Sequence, residues 1–133
     1  IIDGNNLFVR EIVYESEVED LEGLANILKQ EKEIQEGDTY VVCDNSEQRS
    51  TRQLVAYDIP AFNVKKPPRS VVDGIRKVQS FKMHVHVDSH NIKNELNNYK
   101  WKKDAASDTV LDVPIKENDH AMDAIRYPIW TFL

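Results

Sequence analysis

The sequence predicts an α/β protein whose mixed sheet has an antiparallel hairpin at one edge and parallel strands in its centre, with helices flanking it. Three observations support this: a turn between apolar runs at the N-terminus, a continuous apolar run at "TYVVCD", and helical patterns that alternate with strand patterns afterwards. Strands that alternate with helices are joined by crossovers and therefore tend to lie parallel. We expect one domain over residues 1–133, a length sufficient for a hydrophobic core.

The first half of the chain predicts a hairpin, a helix, a strand and a second helix. In "IIDGNNLFVREIVYE" one strand ends at Ile2, a turn follows, and the second strand covers residues 7–14. Apolar residues recur at helical spacing throughout "EVEDLEGLANILKQEKE", which predicts one helix. The apolar run "TYVVCD" is typical of a central strand covered on both faces. Asn45 or Ser46 is the expected cap of the helix "EQRSTRQLVAYD".

The second half continues the alternation. "AFNVKK" and "KMHVHVD" predict strands, separated by a loop and helix in "PPRSVVDGIRKVQSF". "SHNIKNELNNYKW" predicts a helix capped by Ser89, and residues 102–114 predict a loop with a short strand at "TVLDVP". A last helix is expected to start near Glu117 and to stop or kink at Tyr127, because Pro128 follows.

Charge is distributed unevenly along the chain. The net charge is −6, yet residues 65–103 carry ten Lys and Arg against three Asp and Glu. Such a basic stretch is either a solvated face or a surface that binds phosphate. A lone Cys43 excludes an internal disulfide and a cysteine-based zinc site, which fits a reducing compartment. No apolar run approaches the roughly 18 residues of a membrane span, so we expect a soluble protein without membrane contact.

Asp44 is the strongest single candidate for a functional residue. It falls where a predicted strand ends and a helix begins, and open α/β sheets bind ligands beyond such strand ends. Aspartate is also common in strand-to-helix turns for purely structural reasons. Both interpretations are open for Asp44 taken alone.

The segment "HAMDAIRY" near the C-terminus contains a second candidate site. His120 and Asp123 are three residues apart, so their side chains leave the same face of the predicted helix, and Asp119 precedes them in its first turn. Carboxylates with one imidazole suit Mg²⁺ or Mn²⁺. The alternative is a solvated polar face opposite Met122 and Ile125.

The stretch "HVHVD" offers a competing metal hypothesis. His84, His86 and Asp88 alternate along a strand, so they share one side and resemble half of a zinc site. We favour an ordinary polar strand face, because no further cysteine or histidine pattern completes a four-ligand set. The chain also lacks a phosphate-binding P-loop and a nucleophile elbow, so it is not expected to hydrolyse ATP.

Basic residues next to prolines and aromatics are candidates for contact with nucleic acid. Lys65, Lys66 and Arg69 flank two prolines, and Lys102 and Lys103 follow Trp101. Base stacking is one interpretation of Trp101, and core packing at a helix end is the favoured one. A further candidate is Arg49, which either points at phosphate or pairs with nearby acids.

Three ordered segments resemble the C-terminal nuclease domain of the large terminase subunit of tailed bacteriophages. They are "YVVCDNSEQRS", "KKPPRSVVDGIRKVQSFKMHVHVDSHNIKNELNNYKWKKD" and "NDHAMDAIRY", which together cover most of the chain from about Tyr40 onward. The resemblance implies an RNase H-like fold and a divalent-metal-dependent endonuclease that cuts double-stranded DNA during viral genome packaging in the host cytoplasm. It also implies an upstream ATPase domain in the same subunit, with the small terminase subunit and the portal protein as partners.

The resemblance assigns roles to particular residues. Asp44 matches the acidic position at the end of a central strand, Asp123 matches the acid of the C-terminal helix, and His120 matches a histidine that resembles a further ligand in some members. These three are the implied catalytic and metal-binding residues, and Asp119 is an adjacent candidate. The implied site holds two Mg²⁺ or Mn²⁺ ions. The family's first aspartate lies on a strand ahead of the hairpin, which implies that this domain is truncated at its N-terminal strand.

Two alternatives remain beside the terminase interpretation. One is another RNase H-like nuclease, such as a resolvase or a transposase-like enzyme. The other is a non-catalytic module that binds DNA or a protein partner through the basic stretch.

Overall fold

The structure, a computed structural model, describes residues 1–14, 20–107, 109–115, 117 and 119–133. The chain forms two compact units, one of residues 1–12 with 67–133 and the other of residues 13–66. Both contain helices and parallel strand pairs, and the first also contains an antiparallel hairpin at a sheet edge. The mixed α/β fold predicted from the sequence is therefore confirmed.

The first unit contains a three-stranded sheet. Its strands are β1 (Ile2–Asp3), β2 (Asn6–Val9) and β5 (Lys82–Val85), with β1 antiparallel and β5 parallel to β2. Gly4 turns the hairpin with a φ of 57°, a left-handed conformation that glycine adopts without a steric penalty. The prediction of a longer second strand was wrong, because the chain leaves the sheet after Val9 and Glu11 bonds to the start of a helix instead.

Three helices and a second hairpin complete this unit. They are α4 (Ser70–Gln79), α5 (His90–Asn98), β6 (Trp101–Lys103), β7 (Val110–Pro114) and α6 (His120–Phe132). Helix α6 contacts both α4 and α5. The predicted loop at 102–114 thus contains an antiparallel strand pair, so Trp101 lies in a strand rather than at a helix end.

Helix α6 departs from its prediction at both ends. It begins at His120 rather than near Glu117, and it continues through Pro128 to Phe132. A proline removes one backbone donor from a helix. Here the Thr131 hydroxyl donates to the Tyr127 carbonyl at 2.7 Å, and the neighbouring Ile129 is only 4% exposed. Burial of the apolar face beyond the proline therefore outweighs the lost backbone hydrogen bond.

The second unit pairs β3 (Val41–Cys43) with β4 (Ala61–Asn63) in parallel. Its helices are α1 (Leu21–Lys29), α2 (Lys32–Glu36) and α3 (Gln48–Ala56), and a short 3₁₀ turn, Asn45–Glu47, precedes α3. Its buried core consists of Ala25, Leu54 and Ile59. Strand β3 is half-buried rather than covered on both faces.

The single helix predicted for the first half is two helices. The amide groups of Gln30 and Glu31 donate to the carbonyls three residues earlier, Ile27 and Leu28, which tightens the end of α1. Glu31 then takes an extended backbone and α2 restarts. The first three residues of the predicted helix, 17–19, lie outside the described residues. Across the part of the chain that is described, the helices are all too short or too polar to span a bilayer.

Candidate metal site

Asp44 follows β3 and begins the turn that leads into α3. Its backbone is extended, and its Oδ1 accepts a hydrogen bond from the Ser46 amide at 3.1 Å. Asp44 therefore caps the 3₁₀ turn Asn45–Glu47, in which the predicted helix caps Asn45 and Ser46 themselves lie, and the structural interpretation of this aspartate is confirmed. The carbonyl of Asp44 also accepts a hydrogen bond from the side-chain amide of Asn63 at 2.9 Å, which ties the strand end to β4.

A lysine lies directly against this carboxylate. The Lys66 Nζ donates to Asp44 Oδ1 at 2.6 Å, and the two side chains are 35% and 38% exposed. A charge-assisted bond of this length is strong for its type, although partial exposure to water screens it. Asp44 thus accepts a hydrogen bond from one positive group, the Lys66 ammonium, at its Oδ1.

His120 and Asp123 lie one turn apart at the start of α6, as predicted. His120 is the first helical residue and is exposed, and the amide of Asp123 donates to the carbonyl of Asp119 at 2.8 Å. Asp119 occupies the cap position without a side-chain capping bond. The three candidate ligands of this segment are therefore grouped on the first turn of one helix.

The carboxylate of Asp123 is fixed by a buried arginine. Arg126 donates through one terminal nitrogen to Asp123 Oδ1 at 2.8 Å, and their side chains are only 5% and 18% exposed. The guanidinium also lies 4.9 Å from the centre of the Tyr127 ring. Among the described residues, Arg126 Nε is buried without a hydrogen-bond partner. Arg126 was not identified from the sequence, although opposite charges three residues apart on a helix are a recognisable signal.

Two further residues, Glu95 and Tyr99, lie near this segment, and sequence reasoning missed Glu95. Glu95 of α5 is 1% exposed and accepts hydrogen bonds from the amides of Ala121 and Met122. Burial, and then the negative charge of Asp123, raises the pKa of Tyr99 to about 12. The only sequence signal for Glu95 is its position three residues after the buried Ile92, on the same face of α5.

The apolar residues of α6 seat the helix. Met122 is 8% exposed and Ile125 is half-buried, and both line a cavity of about 350 Å³ with side chains of α4, β5 and α5. Helix α6 therefore has both the polar face and the apolar face that the sequence predicted. Packing of the apolar face orients His120 and Asp123 on the polar face.

The competing histidine site is not assembled. Strand β5 ends at Val85, so the predicted alternation does not continue to Asp88. The ring of His84 stacks on Phe8 at 4.7 Å, and its Nε2 is hydrogen bonded to the side-chain oxygen of Asn6. His84 is thus used by the β2–β5 pair, and the zinc interpretation has no support.

The basic candidates are distributed over both units. Arg49, Lys65, Arg69 and Lys103 are exposed, and Lys66 pairs with Asp44 as described above. Arg69 has a left-handed φ of 67° just before α4 and lies 3.9 Å from Asp73. The side chains of Lys102 and Trp101 lie outside the described part, so the stacking and contact hypotheses for them stay predictions.

The donors suit a divalent ion although they are not grouped as a ready-made site. Within the described ranges, no three His, Cys, Asp or Glu side chains are clustered closely enough to hold a metal. Asp44 lies in the unit of residues 13–66, whereas His120 and Asp123 lie in the other. Asp44 and Asp123 each accept a hydrogen bond from a positive group within 2.8 Å, and oxygen donors with one imidazole are the set that Mg²⁺ and Mn²⁺ accept. The residues therefore fit a divalent cation, and their convergence on one site stays a prediction.

Comparison with known proteins identifies the family. No curated protein sequence matches the chain at a significant level. The structure is similar to the crystal structure of the large terminase nuclease domain of bacteriophage SPP1 with bound Mn. The TM-score is 0.77 and the identity 22%, over 92% of this chain and 69% of that one, which establishes the shared fold. The sequence profile of the family described as "Terminase RNAseH like domain" matches residues 2–130. The chain therefore belongs to the terminase RNase H-like domain family, as its resemblance to terminase nuclease domains predicted.

Proposed function

We propose that this chain is a divalent-metal-dependent endonuclease that cleaves double-stranded DNA during viral genome packaging. The observation that carries the proposal is the pairing of His120 with Asp123 on the first turn of α6, in a chain of the terminase RNase H-like family. The similar SPP1 domain was solved with bound Mn, which supports a divalent cofactor. We further propose that both units act together as one nuclease domain.

Asp44, His120 and Asp123 are the proposed metal ligands, with Asp119 as an additional one. Two bound Mg²⁺ or Mn²⁺ ions would supply the charge that activates a water molecule and stabilises the leaving oxygen of the phosphodiester. Other groups of the chain orient these proposed ligands. The Ser46 amide directs the carboxylate of Asp44, and Arg126 directs that of Asp123.

Lys66 has two proposed tasks. At 2.6 Å from Asp44 Oδ1 it neutralises this carboxylate before metal binds. With a divalent cation at Asp44, the partly exposed ammonium group of Lys66 would be able to contact a phosphate of the DNA backbone.

The exposed basic residues are proposed to hold the DNA backbone. They are Arg49, Lys65, Lys66, Arg69, Lys102 and Lys103. Contacts with phosphates position a duplex without reading its sequence, which suits an enzyme that cuts a packaged genome. Binding through them is expected to weaken steeply with salt, because each contact releases counterions from the DNA.

The proposed biological setting follows from the family. It consists of an upstream ATPase domain in the same subunit, the small terminase subunit and portal protein as partners, and action in the host cytoplasm.

Single carboxylate substitutions test the proposal. Asp44→Asn and Asp123→Asn should each reduce Mn²⁺-dependent nicking of supercoiled plasmid by at least about a hundredfold, because a metal ligand supplies several kcal/mol to the reaction. Asp88→Asn is the matched control, since this aspartate is 81% exposed and is not a proposed ligand. Calorimetric titration with Mn²⁺ should show weaker binding in the first two variants and unchanged binding in the control.

The outcomes separate the competing functions. Nicking that persists in both variants would show that the proposed metal site is wrong. DNA binding without cleavage in the wild type would favour the non-catalytic module.

A further inference from the structure

Glu95 of α5 carries an unusual combination of burial and polar contacts. It is 1% exposed and is among the largest fully buried side chains of the described residues. Its Oε1 accepts hydrogen bonds from the amides of Ala121 at 2.8 Å and Met122 at 3.1 Å, and its Oε2 accepts from Ala121 at 3.1 Å. A carboxylate is buried only where donors satisfy it, and here the donors are backbone amides at the start of α6.

These contacts lie directly beside the proposed metal ligands. Ala121 and Met122 are the two residues between His120 and Asp123. The first amides of a helix have no partner within the helix, and Asp119, in the cap position, makes no side-chain capping bond. The first turn of α6 is therefore held by a side chain from another helix, where the helix dipole also favours a negative group.

The position of Glu95 is itself fixed by a second carboxylate. Glu11, which follows β2, accepts hydrogen bonds from the Ile92 amide at 3.0 Å and from the side chain of Asn91 at 2.8 Å at the start of α5. The amide of Glu11 donates to the fully buried hydroxyl of Ser89 at 2.9 Å. Ser89 was expected to cap α5 itself, but it makes no side-chain capping bond there, and Glu11 takes this role. The sheet, α5 and α6 are thus linked in series by two carboxylates.

We propose that Glu95 is a positioning residue that fixes where α6 begins and hence the direction in which His120 and Asp123 point. With about 3.6 residues per turn, a one-residue shift in the register with which α6 packs against Glu95 rotates its side chains about the helix axis by about 100°. Such a change would turn one or both donors away from a shared ion. Glu95 does not bind the ion itself, because it is buried and both of its oxygens accept backbone hydrogen bonds. This inference rests on the proposed metal-binding role of α6.

Two substitutions of Glu95 and one control test the inference. Glu95→Gln keeps the shape but places a donor against the amides, and Glu95→Met fills the same buried space without a polar group, which keeps the fold accessible. Asp20→Asn is the control, because Asp20 accepts a hydrogen bond from the Gly23 amide at 2.7 Å and thereby caps α1, which carries no proposed ligand.

Two measurements are made on each protein. Hydrogen exchange by NMR should accelerate at the amides of residues 121–123 by at least about tenfold in both Glu95 variants and remain unchanged in Asp20→Asn. Affinity for Mn²⁺, measured by calorimetry, should fall by about 10- to 100-fold in the Glu95 variants, as for other residues that orient metal ligands, and stay at the wild-type value in the control.

The readouts distinguish failure of this inference from failure of the proposed function. Unchanged exchange at residues 121–123 in a folded Glu95 variant would overturn the positioning role, and so would a loss of Mn²⁺ affinity of equal size in Asp20→Asn. A wild type that binds no Mn²⁺ would overturn the proposed function, and the exchange rates would still decide whether Glu95 fixes the start of α6.

Discussion

The substitution Gly74→Ala in α4 tests how closely α4 packs against Arg126 of α6. A Cβ added there would lie 2.8 Å from Cγ and 2.9 Å from Cδ of Arg126. Carbon atoms pack at about 3.5–4.0 Å, so either the helices separate or Arg126 moves. These two atoms belong to the base of the side chain, which is only 5% exposed and cannot swing into solvent.

The expected magnitude combines two opposing contributions. Replacing a glycine within a helix by alanine stabilises the helix by about 1 kcal/mol. Overpacking a buried contact costs about 1–3 kcal/mol. We therefore expect Gly74→Ala to lower the free energy of unfolding by up to about 2 kcal/mol. Because Arg126 also directs Asp123, the same variant should weaken Mn²⁺ binding.

A double-mutant cycle measured by urea unfolding tests this reasoning. In an Arg126→Ala background the contact is gone, so Gly74→Ala should then stabilise the protein by about 1 kcal/mol. The difference between the two backgrounds is the coupling between α4 and α6 at this point. If Gly74→Ala stabilises the otherwise unchanged protein by the full helix-propensity value, the steric argument is refuted.

Three further predictions follow from charges and burial. Lys66→Gln removes the cation that competes for Asp44, so Mn²⁺ should bind up to about fivefold more tightly in a calorimetric titration. This size corresponds to a partly exposed ion pair worth about 1 kcal/mol. Unchanged affinity would show that the lysine does not compete. The pKa of Tyr99 is raised to about 12, which stabilises the fold fully below pH 10 and progressively less as the pH rises towards 12. Tyr99→Phe should therefore flatten the decline of unfolding free energy above pH 10, and an equal decline in both proteins would contradict this. Burial raises the pKa of the Cys43 thiol, although a hydrogen bond with Thr51 opposes the shift. Its alkylation at pH 8 should accordingly be slow in the native protein and fast in urea, whereas equal rates would argue against burial as the cause.

The sequence predicted correctly those helices and turns that are determined by the residues within a short segment. The hairpin at Gly4 and the helices α4 and α5 were anticipated, because turn chemistry and helical periodicity are properties of short segments. Asp44 was identified at a strand end, and His120 and Asp123 were placed on one helix turn, for the same reason.

Distant contacts decided the features that the sequence did not predict. The second strand stops at Val9 because Glu11 bonds to residues about 80 positions away, and α6 passes through Pro128 because its far side is buried. Asp44 caps its own turn while binding Lys66, 22 positions later. A short sequence segment cannot predict these contacts, because the two partners are far apart in the sequence and meet only in the folded protein.

The two ion pairs at the candidate ligands should respond differently to a divalent cation. The pair of Lys66 with Asp44 is more than one-third exposed on both sides, so water and salt screen it and its replacement leaves no buried charge. The pair of Arg126 with Asp123 is buried, and separating it would leave a guanidinium without its carboxylate inside the protein. We therefore expect the ion to displace Lys66 and to bind beside an intact Arg126–Asp123 pair. We therefore expect the Asp44 half of the proposed site to be adjustable and the Asp123 half to be preformed.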